Sequence, residues 1–216
     1  MVDIFNDALF TPAEVSRYLS IPKPTVYYWL SDNTDGSPLV HKVGAEVRGG
    51  ASVPFVALVE AYVLRSLRDM KFTKRKIRET VADVRATFDT PYALATKRIA
   101  TDGIDIFVDH GGELARAGDH QKPFREMIEG YLRYITWSDN SEFASRLQLR
   151  QFPDSAPVII DPRFGWGAPV IERNRVPVQA VFDLWQAGEA MATVAEEYDL
   201  GVDEVEAICR VGVGAA

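Results

Sequence analysis

Apolar residues recur at helical spacing along most of this chain, with short alternating stretches between. Val15, Tyr18 and Leu19 share one face of a helix predicted over residues 11–19. Thr11 caps it, Pro12 suits its first position, and Glu14, three residues after Thr11, completes a capping box. Residues 20–24 (Ser-Ile-Pro-Lys-Pro) read as a turn. Pro24 then opens a second short helix, residues 25–30, with Val26, Trp29 and Leu30 turned inward. Residues 33–38 carry the turn signals Asp-Gly and Pro. Leu39, Val43, Val47 and Val53 are spaced around Gly44 and Gly49-Gly50, which predicts a small β-hairpin, a wing, over residues 39–55.

Two longer helices are predicted next. Residues 57–70 carry a wide apolar stripe that includes Leu58, Ala61, Tyr62 and Leu67. Residues 73–88 place Ile77, Val81, Val84 and Phe88 at a period of 3.6, and Pro91 follows. Residues 97–108 read as a hairpin around Thr101-Asp102-Gly103, and residues 111–122 as a loop. A helix over 124–135 and a strand over 147–152 lead to a boundary at 153–157. Beyond it stand a short strand, 158–160, the Gly/Pro-rich stretch 161–169, and helices over 177–187, 191–198 and 202–210 punctuated by Gly188 and Gly201. The expected fold class is α+β, mostly α. A winged helix-turn-helix occupies 1–70, a middle α+β region 71–152, and a three-helix, helix-turn-helix-like unit 153–216.

Composition is that of a globular chain, with 47% hydrophobic and 25% charged residues. No apolar run is long enough to span a bilayer. The N-terminus is acidic and shows no signal-peptide pattern. One cysteine, Cys209, permits no intrachain disulfide, and these features together fit a reducing cytoplasm. The net charge of −7 argues against nucleic acid until it is divided. Residues 1–87 hold 12 Lys+Arg against 10 Asp+Glu, whereas residues 88–216 hold 12 against 21. Residues 65–78 carry seven basic side chains and one acid, Asp69. Local sign governs a phosphate-facing surface, although such a run also reads as a solvated helix face.

The helix-turn-helix at residues 10–30 is the strongest functional signal. Phe10, Val15, Leu19, Ile21, Val26, Trp29 and Leu30 lock the two helices together. Arg17, Lys23, Thr25, Tyr27, Tyr28 and Ser31 are left outside, suited to phosphates and base edges. Lys42 and Arg48, near the tip of the wing, are placed to touch the backbone beside them. The competing reading is an ordinary two-helix hairpin in a globular core. The last predicted helix exposes Asp203, Glu204 and Glu206 against Arg210, so it repels phosphate, and the C-terminal unit reads as a protein-contact or dimerisation module. A bundle with a purely structural role is the alternative.

Enzyme signals are weak. His41, His110 and His120 are scattered, and Asp102, Asp105 and Asp109 read better as a turn and an outward face than as metal ligands. Phosphate-loop, dinucleotide, zinc-protease and serine-hydrolase motifs are absent from the sequence. No catalytic residue, metal or cofactor is expected, and Cys209 sits on an apolar helix face with Val205 and Ile208.

Two stretches carry a family resemblance. Phe10-Thr11-Pro12-Ala13-Glu14-Val15, with Ile21 through Leu30, resembles the N-terminus of MerR-type winged-helix proteins. That resemblance implies Tyr28 on a phosphate and Thr25 at the start of a recognition helix; the pattern departs at Tyr27, where the family usually has Arg. Val158-Ile159-Ile160-Asp161-Pro162, then Gly167-Ala168-Pro169-Val170-Ile171, Arg175-Val176-Pro177-Val178, Gly188 and Tyr198, is similar to the small C-terminal domain of unknown function in VapB-type antitoxins. The layout of both together resembles one group of those antitoxins. It implies a type II toxin–antitoxin pair, with a PIN-domain ribonuclease toxin as partner and double-stranded DNA, the operon's own operator, as ligand. An antitoxin that plugs an acidic nuclease site is best served by arginine. Arg163, Arg173 and Arg175 are the candidates, each also readable as an ordinary surface or salt-bridged arginine. A homodimer is expected, because helix-turn-helix readers face pseudo-palindromic sites. The alternative function is a free-standing MerR-like transcription regulator gated by a small effector.

Overall fold

The computed structural model describes residues 2–32, 37–115 and 121–214. Two compact units divide the chain: Asp3–Ser145, and Arg146–Ala216 with Met1–Val2. Mostly helical elements with a little antiparallel sheet make this an α+β, mostly α chain. No helix among the described residues is long and apolar enough to cross a membrane.

The first unit opens with α1 (Pro12–Tyr18) and α2 (Lys23–Leu30). The capping box forms as the spacing predicts: the Glu14 N–H donates to Thr11 Oγ1 at 3.2 Å, and the Thr11 N–H to Glu14 Oε2 at 2.8 Å. The turn between the helices is fixed by Ser20, left-handed at φ 49°. It lets the next residue, Ile21, send its N–H back to the Ser16 carbonyl at 2.9 Å, while the Ser16 hydroxyl returns to the Ile21 carbonyl. Ile21 is thereby buried at the joint.

The central α3 (Phe55–Asp69) is apolar and buried almost all round, as the innermost helix of a unit is. It ends in the same turn, with Lys71 at φ 67° and the Phe72 N–H on the Leu67 carbonyl. Thr73 then caps α4 (Lys74–Phe88), accepting from the Lys76 N–H at 3.2 Å.

Three expectations fail in this unit. The predicted wing is a loop without strands, held internally by the Val43 N–H on the Ser52 carbonyl and the Gly50 N–H on the Val47 carbonyl, both at 2.9 Å. Its two arms find partners elsewhere. The N–H groups of Leu39 and Val40 both reach the Trp29 carbonyl, and Val53 bridges Phe10 through both backbone groups. The predicted hairpin over 97–108 is a 3₁₀ turn (Lys97–Ala100) followed by α5 (Asp102–Ala115). Among the described side chains of α5, Gly103, Ile104, Phe107 and Gly111 are buried, a 3–4 spacing that the β-branched run around them obscured. Gly111 is needed there, because a methyl group at that site would meet the Phe124 ring at 2.6 Å. The loop expected over 111–122 is therefore helical where it is described, and its residues 116–120 lie outside the described residues.

α6 (Gln121–Leu132) packs on α5 and α3, with the Tyr62 hydroxyl donating to the Tyr131 carbonyl at 2.9 Å. The predicted helix over 124–135 stops short because Ile135 starts β1 (Ile135–Trp137). β2 (Ala144–Gln148) follows, earlier than the strand predicted over 147–152.

In the second unit β2 continues and pairs antiparallel with β3 (Val158–Ile160), Leu147 opposite Ile160. β3 pairs with β4 (Val170–Ile171). Then come α7 (Val178–Gln186), α8 (Met191–Glu197) and α9 (Val202–Gly214). Val181, Val194, Val205, Ile208 and Cys209 form the core between the helices. The α8–α9 joint repeats the α1–α2 geometry: Asp199 is left-handed at φ 50°, and the Leu200 N–H reaches the Ala195 carbonyl at 2.8 Å.

Candidate nucleic-acid interface

The interface is built on α2. Val26, Trp29 and Leu30 are buried, so rotation of the helix leaves Lys23, Thr25, Tyr27 and Tyr28 on its other faces. Lys23 is exposed and Tyr27 is 54% exposed. Thr25 and Tyr28 are half-buried. Arg17, on α1, is exposed and lies over the Tyr18 ring at 5.1 Å.

Tyr28 is where α2 meets α4. Lys74 Nζ stands 4.9 Å from its ring centroid and the Arg78 guanidinium 5.2 Å, and Arg78 Nε donates to the Tyr28 oxygen at 3.0 Å. The charged run noted in the sequence thus supplies two side chains, Lys74 and Arg78, beside the candidate reading helix. Helical periodicity singles out neither of them, and the density of positive charge is the signal that points to both.

Other positive charge of this unit is engaged within the fold. Arg65 Nη1 donates to the Leu19 carbonyl at the end of α1. Arg78 Nη1 reaches the Ser37 carbonyl at 3.2 Å. Further along α4, Arg85 donates to the carbonyls of Pro38 and Leu39 at 3.1 and 3.0 Å. Behind them lies Glu60, a fully buried carboxylate. It accepts from the His41 N–H at 3.0 Å, lies 2.8 Å from His41 Nδ1 and stands 3.9 Å from Arg85 Nη2. Burial lowers the proton affinity of Arg85, and the nearby Glu60 charge opposes that shift. This cluster fastens residues 37–41 to α3 and α4.

Lys42 and Arg48 are exposed on the loop that replaces the wing. Lys42 pairs with Asp32 at 3.2 Å, across a solvated surface where such a pair holds little. Arg48 sits in a turn closed by the Gly50 N–H on the Val47 carbonyl at 2.9 Å, with Gly49 at φ 79°, and no paired strands carry that turn.

The C-terminal arginines are all engaged within their own unit. Arg163 clasps the fully buried Asp161 through Nε at 2.9 Å and Nη2 at 2.6 Å, and this contact raises the proton affinity of the guanidinium. Arg173 bridges Asp199 at 3.1 Å and Glu204 at 3.2 Å. Arg175, left-handed at φ 64°, donates to the Glu172 carbonyl and lies over the Phe164 ring. Two of the three acids considered as metal ligands are paired too, Asp102 with Arg98 and Asp105 with Arg125, while His110 meets Asp83 at 3.0 Å.

Comparison with known proteins agrees with this layout. Residues 8–81 match a family described as "Putative DNA-binding HTH domain", which covers α1 through the first half of α4. Residues 158–210 match a family described as a protein of unknown function. The chain is 31% identical, over 93% of its length and 92% of the relative's, to the "Putative antitoxin VapB45" of Mycobacterium tuberculosis. Its fold is similar to the crystal structure of Rv2018 from the same organism, with a TM-score of 0.79, 29% identity, and coverage of 95% of this chain and 99% of that one. With a helix-turn-helix head, the C-terminal domain of unknown function and this whole-length similarity, the chain belongs to the VapB-type antitoxin family.

Proposed function

We propose that this chain is the antitoxin of a type II pair, repressing its own operon through the head and neutralising a PIN-domain ribonuclease toxin through the C-terminal unit. The head is read as a MerR-like module over residues 1–70, acting in a homodimer on a pseudo-palindromic operator. The observation that carries the DNA half is the union of α2 with the start of α4. Tyr28 stands beside Lys74 and Arg78, Thr25 shares a cleft with Lys74, and the same helix exposes Lys23 and Tyr27, so a surface with base-reading potential adjoins a cationic one. Arg17, Lys42 and Arg48, all exposed, are assigned to the same surface, with the charge of Lys42 offset by Asp32.

The C-terminal unit has the same helix–turn–helix joint but the opposite charge. Asp203 and Glu204 occupy the first turn of α9, which repels phosphate, so this unit is assigned to protein contact. Arg163, Arg173 and Arg175 would reach a toxin's carboxylates only by exchanging their present partners. Arg163 has the more exposed side chain, 67% against 48% for Arg173, but its release would strand the buried Asp161.

Two experiments test the reading. Fluorescence anisotropy with the chain's own upstream DNA, repeated across a salt series, gives the slope of log affinity against log salt. Lys23→Ala and Arg48→Ala should each weaken binding and flatten that slope by about 0.9 for every phosphate that is no longer neutralised. An unchanged slope for both removes the head from the DNA. Capture of the tagged full chain from its host should retain a small ribonuclease in stoichiometric amount. Recovery of the chain alone, still retarding its DNA, moves the function to a free-standing regulator.

A further inference from the structure

We infer that the cleft between α2 and α4 is a binding site for a small organic anion with an apolar body, and that its occupation releases DNA from the head. The release half rests on the DNA-binding reading above; the site itself does not.

The cleft encloses about 300 Å³, within the range of small-ligand sites. Its floor is apolar: Trp29, Phe72 and Ile77 line it, all of them buried side chains that show the cleft only an edge. Its polar lining includes Thr25 from α2, Arg68 from the end of α3 and Lys74 from the start of α4. Among the described residues, no acidic side chain lines it. Other arginines of this unit face carboxylates: Arg65 with Asp69, Arg75 with Glu79, Arg98 with Asp102 and Arg125 with Asp105. Among the described residues, neither Arg68 nor Lys74 has such a partner, and Lys74 lies instead over the Tyr28 ring.

Two uncompensated cations and a hydroxyl above a hydrocarbon floor define the ligand by its chemistry. The carboxylate sits between Arg68 and Lys74, accepts from Thr25, and leaves an aromatic or aliphatic body against Trp29 and Phe72. A phosphate group alone would satisfy the cations and leave the floor wet, so the apolar lining favours an organic acid. Thr25 and Tyr28 line this cleft and also belong to the proposed DNA surface. A bound anion neutralises Lys74 and sets a negative charge against the approaching phosphates. By linkage, DNA weakens the ligand by the same factor.

The test uses the full chain without DNA. Isothermal titration calorimetry is run with benzoate, 4-phenylbutyrate, octanoate, inorganic phosphate and the neutral 4-phenylbutan-1-ol. At least one carboxylate is expected to bind at about 1 mM or tighter. Phosphate and the alcohol should bind about tenfold more weakly, and Arg68→Gln and Lys74→Gln should each cost the carboxylate about tenfold. Both substitutions are at solvent-accessible positions, and unchanged urea unfolding confirms that they fold. Binding that is absent for all three carboxylates, equal for phosphate, or indifferent to both substitutions overturns the site. In the anisotropy assay the bound carboxylate should lower DNA affinity about tenfold. A carboxylate that binds without moving DNA affinity overturns the release step. A chain that holds no DNA at all overturns the DNA reading and the release step, while calorimetry still decides the site.

Discussion

Arg78 donates through Nε to the Tyr28 phenol oxygen at 3.0 Å, joining the candidate reading helix to a helix fifty residues further along the chain. The same guanidinium holds the Ser37 carbonyl. Arg78 is therefore placed to orient both Tyr28 and Ser37.

That arrangement predicts coupling. Tyr28→Phe and Arg78→Ala should each weaken DNA binding, and the double variant should be little worse than Arg78→Ala alone. The interaction energy expected from a double-mutant cycle is about 1 kcal/mol. Losses that simply add would mean that the two residues act separately.

Glu60 predicts a stability effect. Its fully buried carboxylate serves the His41 backbone, the His41 ring and the Arg85 guanidinium. Glu60→Ala leaves those donors without their acceptor and should lower the unfolding free energy by about 3 kcal/mol, read from urea denaturation. A loss within about 0.5 kcal/mol, the range of an ordinary surface substitution, would show that the cluster holds little.

Arg163 separates a structural role from a toxin contact. Arg163→Ala strands the buried Asp161 carboxylate and should cost about 2 kcal/mol of stability. Toxin capture measured on the same variant, at a temperature where it stays folded, then reads the contact alone. Capture that is unchanged would take Arg163 out of the toxin interface.

Cys209 predicts a reactivity. It is buried at 1% exposure, and that burial pushes its thiol above the ordinary value. Iodoacetamide followed by mass spectrometry should find it unmodified in the native chain and modified after unfolding. Because the folded state holds the proton longer, the stability linked to this thiol is full below the unfolded thiol's pKa and falls as pH rises through the folded one. Fast native alkylation would mean that α9 opens readily from the core of its unit.

Much of the fold is legible in local chemistry. The Thr11–Glu14 spacing marks the start of α1, the apolar faces of α2, α4 and α7–α9 mark those helices, and the run Val158–Ile160 marks a buried strand. Each of these signals lies within a few residues of the element it specifies. Residues 97–108 misled for the opposite reason. Ile104 and Phe107 are chosen by helices packed on α5, and an alternating β-branched run carries no trace of that. The wing failed likewise, since its arms took backbone partners in Phe10 and Trp29 that sequence distance hides.

The candidate site divides along the same line. The sequence by itself determined which residues α2 turns away from its core and how much positive charge stands between residues 65 and 78, because helical periodicity and charge are local properties. Only the tertiary structure decided which charges remain available. It gave Arg65 to the end of α1, Arg85 to the carbonyls before His41, Arg163 to Asp161 and Arg173 to Asp199, and it left Arg68 and Lys74 beside an apolar cleft. A guanidinium pairs with whatever acceptor folding brings within about 3 Å, and that distance has no counterpart along the chain.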